Sequence, residues 1–192
     1  MSDNPEGTND TSEGTKDTSE TTKDSPEKNE TGEKMETKDN SHFEDTYRLK
    51  SNENYEANKY EYKTDDKGRI TECSGTLRLE EGKRNLDHQR KAGEEDRKET
   101  DDGGHLIACR FDGSGKVDNI VPMDKGLNRG EYKGMENHWA QELKDGNRVD
   151  VDIKVKYEGD SKRPEKINVR EKVTEPDNST RTKYYRFENG GE

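Results

Sequence analysis

The segment Asp101-Asp102-Gly103-Gly104-His105-Leu106-Ile107-Ala108 sets one imidazole between two glycines and an apolar run. Imidazole exchanges protons near neutral pH, so a histidine held this way can serve as a general base. The glycines let the backbone bend closely before the ring. The apolar run, Leu106 to Cys109, reads as a buried strand or strand-like segment that anchors it. Asp101 and Asp102 are placed to fix the imidazole tautomer through its second nitrogen. The plainer alternative is a histidine that only satisfies a turn.

A second series lies downstream: Asn119-Ile120-Val121-Pro122-Met123, then Leu127-Asn128-Arg129-Gly130-Glu131-Tyr132-Lys133, then Met135-Glu136. Read alone, Asn128 is a helix cap. Glu136 follows eight residues later, about two helical turns, so both can face one quadrant. Read alone, Glu136 is a solvated charge.

The elements that must position these residues are legible around them. A helix is expected from about Asn128 to Lys144, with Leu127, Met135, Trp139 and Leu143 on one stripe, Tyr132 beside it, and Gly146 as its stop. Val149, Val151, Ile153, Val155 and Tyr157 alternate with polar residues, the pattern of a half-buried antiparallel strand. Ile167, Val169 and Val173 fit a second strand, and Tyr185 and Phe187 a third. Upstream, Tyr60 and Tyr62, a turn over 64–68, and Ile70 to Leu79 form a hairpin. Residues 80–102 read as charged loop or a short exposed helix. The fold class is α+β: one long helix against an antiparallel sheet.

Composition divides the chain in two. Residues 1–45 carry 14 acids against 5 lysines, a short tandem repeat (TSEGTKD, TSETTKD) and almost nothing to bury. They read as a disordered acidic low-complexity tail. The other 32 acids and 30 bases leave residues 46–192, the expected catalytic domain, nearly neutral. The net charge of −11 is thus mostly the tail's, and a nucleic-acid partner is not excluded by it. No apolar run approaches the ~20 residues of a membrane span. The N-terminus shows no apolar core of a cleavable signal peptide, so export would need another route. Cys73 and Cys109 form neither a CxxC pair nor a zinc pattern. A disulfide between them stays open, with two buried thiols the plainer reading. The Asn-x-Ser/Thr triplets at Asn9, Asn29 and Asn178 are expected by chance.

Taken together, DGGH, N-I-V-P, N-R-G-E-Y-K and M-E resemble the DNA/RNA non-specific endonucleases of the ββα-metal (His-Me finger) class. Within it they are similar to the nuclease domains at the C-terminal ends of EsaD-type secreted toxins. The similarity runs from about Asp66 to Val173 and is strongest over 101–139. It implies His105 as general base, Asn128 as metal ligand, Asn119 as support, and Glu136 as the residue orienting a metal-bound water. It also implies Mg²⁺ or Mn²⁺, a DNA or RNA substrate, delivery into competing cells and a cognate immunity protein.

Two departures stand out. DGGH lacks the arginine of the DRGH version, and Ala140 occupies the place of an arginine one turn beyond Glu136. Another cation must then meet the phosphate, with Arg84, Arg90, Arg129 and Arg163 as candidates.

The chemistry implied is coherent. A phosphodiester repels hydroxide and has a poor leaving group, so a cation must neutralise charge and a base must deprotonate water. Magnesium keeps several waters, so one or two protein ligands suffice. Contacts to phosphate rather than bases predict weak sequence preference and strong salt dependence.

Other sites fail. Asp112 to Asp118 lacks the glycine and the closing glutamate of a calcium loop, since Val117 stands in the glycine's place. His42, His88 and His138 show no paired ligand spacing, and there is no P-loop, dinucleotide fingerprint or nucleophile elbow. Two further readings remain: a scavenging or processing nuclease, and an inactive homologue that binds an immunity protein as a decoy.

Overall fold

The computed structural model describes residues 40–190. Residues 1–39, most of the segment read as a disordered tail, lie outside the described residues, as do Asn9 and Asn29. Residues 40–45 belong to the folded part instead. His42 is buried, stacks on Tyr55 at 4.2 Å and bonds Asp118 at 3.1 Å. Phe43 bridges to Leu49. The boundary expected at residue 46 therefore falls inside the fold.

In chain order the elements are β1 (Asn54–Ala57), β2 (Tyr60–Thr64), β3 (Ile70–Thr76), α1 (Leu86–Lys91) and a short 3₁₀ turn (Glu94–Asp96). Then come β4 (Asp101–His105), β5 (Ile120–Asp124), α2 (Lys125–Arg129) and α3 (Glu131–Lys144). Three strands close the chain: β6 (Arg148–Tyr157), β7 (Pro164–Thr174) and β8 (Thr180–Glu188). Six strands form one antiparallel sheet in the order β1-β2-β3-β6-β7-β8, and β4 pairs only with β5. The β4–β5 hairpin followed by α2 and α3 is the ββα unit, and the expected α+β class holds.

Alternation explains the sheet. Val149, Val151, Ile153 and Val155 of β6 are buried, as are Ile167, Val169 and Val173 of β7. Against that face α3 packs Met135, Trp139 and Tyr132. Glu171 interrupts the apolar series on β7, yet its carboxylate is satisfied. It accepts from Trp139 Nε1 at 2.7 Å and Tyr185 Oη at 2.9 Å. Gly146 ends α3 at φ +86°, as expected.

Three expectations are corrected. Leu106 to Cys109 is not a strand: β4 ends at His105, and the apolar run continues as a buried irregular loop. The helix is not continuous: α2 and α3 meet at Gly130, whose backbone breaks the helical run. Asn128 does not open a helix, because Asp124 caps α2 and Asn128 lies in its last turn. The strand Asn54–Ala57 was not anticipated, and Leu79 lies beyond β3, half exposed.

No helix among the described residues is long and apolar enough to cross a membrane. Cys73 and Cys109 are free thiols, both buried.

Candidate active site

The two motifs singled out by the sequence pair with each other. Asp101 faces Asp124 across the β4–β5 ladder, Gly103 faces Pro122, and His105 faces Ile120. The glycines are extended rather than bent. A Cβ on Gly103 would stand 2.3 Å from the Gln89 carbonyl oxygen, so glycine lets α1 lie directly on the strand. This brings α1 and its cations beside His105.

Beyond His105 the loop must bury backbone without a ladder partner. Asn119 supplies that partner. Its Oδ1 accepts from Ile107 N at 2.9 Å and its Nδ2 donates to the carbonyls of Ile107 and Ser114, both at 2.8 Å. Tyr62 Oη donates to the same Oδ1 at 3.0 Å. Asn119 is fully buried. It stands behind the site as a strut and does not line the cleft.

A cleft of about 490 Å³ opens between α1, β4, α2 and α3. His105, Asn128, Glu136 and Asp102 line it, together with Arg84, Arg90 and Arg129. The break at Gly130 does not separate Asn128 from Glu136. Arg97, Lys133 and Cys109, for which the sequence carries no motif, line it too. Five of the lining side chains are Lys or Arg, so a nearly neutral domain presents a locally cationic cleft.

Asp101 and Asp102 do not orient His105. An extended strand carries them roughly 13 and 10 Å away along the chain, and both carboxylates are engaged elsewhere. Asp101 is clamped by Arg163 through two bonds of 2.8 Å, the carboxylate fully covered and the guanidinium side chain largely so. Arg163 also donates to the carbonyls of Asn189 and Gly190. It ties the C-terminal end to β4 and is outside the cleft. Asp102 accepts from Asn128 Nδ2 at 2.9 Å and from Arg129 at 2.8 Å twice. The hydrogen bonds from Arg129, with that from Asn128, hold the Asp102 carboxyl below the usual range. The contact that His105 does make is to Cys109, Nε2 to Sγ at 3.4 Å.

Burial draws the His105 pKa down to about 4, with Arg84 adding to the effect. The ring is therefore neutral at ordinary pH. Burial pushes Glu136 up to about 7, against the pull of Arg110, Arg84 and Lys133. Arg110 Nη2 approaches Glu136 to 3.9 Å, while Arg110 Nε and Nη2 are buried without a hydrogen-bond partner. Neither Arg110 nor this pairing had a signal in the sequence.

The residues present fit a hard divalent cation. Asn128 has its Nδ2 committed to Asp102, which leaves Oδ1 as the donor atom. Glu136 adds a carboxylate in the same cleft. Among the described residues no group of three or more His, Cys, Asp or Glu side chains converges as a metal cage. Few oxygen ligands suit an ion that keeps much of its hydration shell.

Residues 51–175 match the family model of the DNA/RNA non-specific endonuclease. The chain belongs to the DNA/RNA non-specific endonuclease family. It is therefore a nuclease, an enzyme that cleaves phosphodiester bonds, and membership carries a dependence on a divalent metal. The chain is 44% identical over 110 residues to the type VII secretion system protein EssD of Staphylococcus aureus strain USA300. The same figures hold for EssD of strain NCTC 8325. The aligned stretch covers 54% of this chain and 18% of theirs, so the chain spans under a fifth of those relatives' length. Among solved structures, an extracellular endonuclease shares 17% identity at a TM-score of 0.46, covering 67% of this chain and 76% of its own. An extracellular nuclease shares 16% identity at the same score, covering 72% and 85%.

Proposed function

We propose that this endonuclease hydrolyses DNA, and RNA as a second substrate, with His105 as general base, Asn128 as metal ligand and Glu136 beside it. The observation that carries the reading is the convergence of these three side chains, from β4, α2 and α3, on one cationic cleft. The metal is Mg²⁺ or Mn²⁺; when bound it neutralises charge on the phosphate. Asn128 would hold it through Oδ1, the amide being oriented by the bond from its Nδ2 to Asp102. His105 takes a proton from the attacking water. Arg84, Arg129 and Lys133 draw the phosphate backbone into the cleft, which favours contact without base readout.

The cellular role follows the likeness to EssD, named as a type VII secretion system protein. The chain acts as the toxin module of a secreted antibacterial effector and has an immunity protein that covers the cleft. Support for an active enzyme over a decoy comes from a base, an amide ligand and a carboxylate all open to one cleft.

Plasmid and RNA cleavage by purified protein, with Mg²⁺, with Mn²⁺ and with EDTA, tests the chemistry. His105→Ala is expected to lose roughly 10²–10⁴-fold in rate, the range for a positioned acid–base group. Cleavage by that variant at the parent's rate would overturn the assignment. Growth arrest on expression in a bacterial host, lost in His105→Ala, tests the toxin role.

A further inference from the structure

The carboxylates expected to orient His105 are committed to Arg163, Arg129 and Asn128. The imidazole nonetheless needs a fixed tautomer, because only one ring nitrogen of a neutral histidine is a base. The one side chain bonded to the ring among the described residues is Cys109, its Sγ 3.4 Å from Nε2. We infer that Cys109 is a positioning residue: its sulfur accepts from Nε2–H of His105 and leaves the Nδ1 lone pair to take the proton.

The sulfur is rigidly placed. Cys109 lies in the buried loop after β4, whose Ile107 is bonded at both N and O by Asn119. The Cys109 carbonyl accepts from Gly82 N at 2.6 Å and Asp112 N at 2.9 Å. The loop is further pinned from the sheet by Tyr60 Oη, which donates to the Phe111 carbonyl at 2.5 Å. A side chain on so constrained a backbone can define a ring orientation that an exposed one could not.

The chemistry suits a quiet partner. Burial raises the Cys109 pKa, against the pull of Arg84, so the sulfur stays a neutral thiol near neutral pH. A neutral thiol is a weak acceptor. It fixes the tautomer without the strong rise in imidazole basicity that a carboxylate would bring. The charged groups acting on this pair are Arg84, which lowers the pKa of both, and Glu136 and Glu81, which raise that of the thiol. Serine at 109 would keep an acceptor on the same Cβ, with a shorter reach, whereas alanine would remove it.

The inference rests on His105 being the base, and the test separates the two. The full chain and its Cys109→Ala, Cys109→Ser and His105→Ala variants are compared in Mg²⁺-dependent plasmid cleavage. The His105 tautomer is read from ¹H–¹⁵N two-bond correlations of the wild-type protein near neutral pH. The expected results are an Nε2–H tautomer and a kcat lowered roughly 3- to 10-fold in Cys109→Ala, the scale of one weak hydrogen bond. KM should be unchanged, and Cys109→Ser should recover most of the loss. A dominant Nδ1–H tautomer overturns the inference even if no variant folds. So does full activity in Cys109→Ala while His105→Ala is inactive, which leaves the base assignment standing. Equal losses in the alanine and serine variants also overturn it, as they would mark simple packing. Full activity in His105→Ala removes the base itself and the inference with it.

Discussion

Asp102 accepts a hydrogen bond from Asn128 Nδ2 at 2.9 Å while Arg129 clamps the same carboxylate through two bonds of 2.8 Å. One side chain thus joins the strand that carries His105 to the helix that carries Asn128. An amide can turn either its oxygen or its nitrogen toward a cation, and only the oxygen binds. Asp102 settles that choice by taking the nitrogen. Asp102→Ala is expected to raise the Mg²⁺ concentration for half-maximal cleavage about 10- to 100-fold, the usual effect of removing a residue that orients a ligand. An unchanged metal requirement would show that Asn128 needs no such partner.

Two of the cleft's titrating groups, His105 and Glu136, shift in opposite directions. His105 falls from an ordinary 6.5 to about 4 because burial disfavours the imidazolium. An NMR titration in EDTA should place its midpoint far below 6.5. Arg84→Gln should move that midpoint upward, since the guanidinium repels the protonated ring. A midpoint at the ordinary value would contradict the burial argument.

Glu136 gives the complementary prediction for stability. Its folded pKa of about 7 lies above the ordinary 4.5, again through burial. Its contribution is present below about 4.5 and is lost as pH rises through about 7. The depressed His105 does the reverse: its contribution is present above about 6.5 and is lost as pH falls toward 4. Glu136→Gln removes the first slope alone. In metal-free buffer at alkaline pH the variant should be more stable than the parent, on the order of 1–3 kcal/mol, although inactive. Chemical denaturation at acid and alkaline pH measures this, and a variant less stable at both would refute it.

Asn119 is a structural strut, and its loss should register first in stability. Alanine at 119 would strand Ile107 N, the Ile107 and Ser114 carbonyls and the Tyr62 hydroxyl in a dry interior. The expected cost is about 2–4 kcal/mol, a few unsatisfied buried groups with some relaxation. Equilibrium denaturation reads it directly. A loss of activity without a loss of stability would instead make Asn119 part of the chemistry.

What was legible in the sequence follows from periodicity. The unbroken alternation from Val149 to Tyr157 could only be a half-buried strand, and Met135 and Trp139 could only face a core. His105, Asn128 and Glu136 were singled out by resemblance to a family's motifs, since each alone reads as a turn histidine, a helix cap or a solvated charge. Pairing was not visible: nothing local says that Gly103 lies opposite Pro122, or that Asp102 reaches Asn128, 26 residues away. The apolar run after His105 resembled a strand because hydrophobicity reports burial, whereas the hydrogen bonds that make it a loop come from Asn119. The helix break at Gly130 was masked by an apolar stripe that continues across it. Strand Asn54–Ala57 offered only Tyr55 and Ala57 as buried residues, too few for a pattern.

The arginine candidates separate once placed. Arg163 belongs to a buried pair with Asp101, its side chain 10% exposed and the carboxylate fully covered. Removing one partner of such a pair leaves an uncompensated charge, so Arg163→Ala should cost about 3–5 kcal/mol in stability. Arg84 lines the cleft and acts electrostatically on His105, Cys109 and Glu136 together. With Ala140 unable to supply a cation, we propose Arg84, among the cleft's cations, as the one that meets the scissile phosphate. Arg84→Ala should therefore lower cleavage roughly 10- to 100-fold with little change in stability, and should flatten the salt dependence of binding by about one phosphate contact. Cleavage rates across a salt series, with melting curves for both variants, separate the two roles. If Arg84→Ala unfolds the protein while Arg163→Ala only slows it, the assignments are reversed.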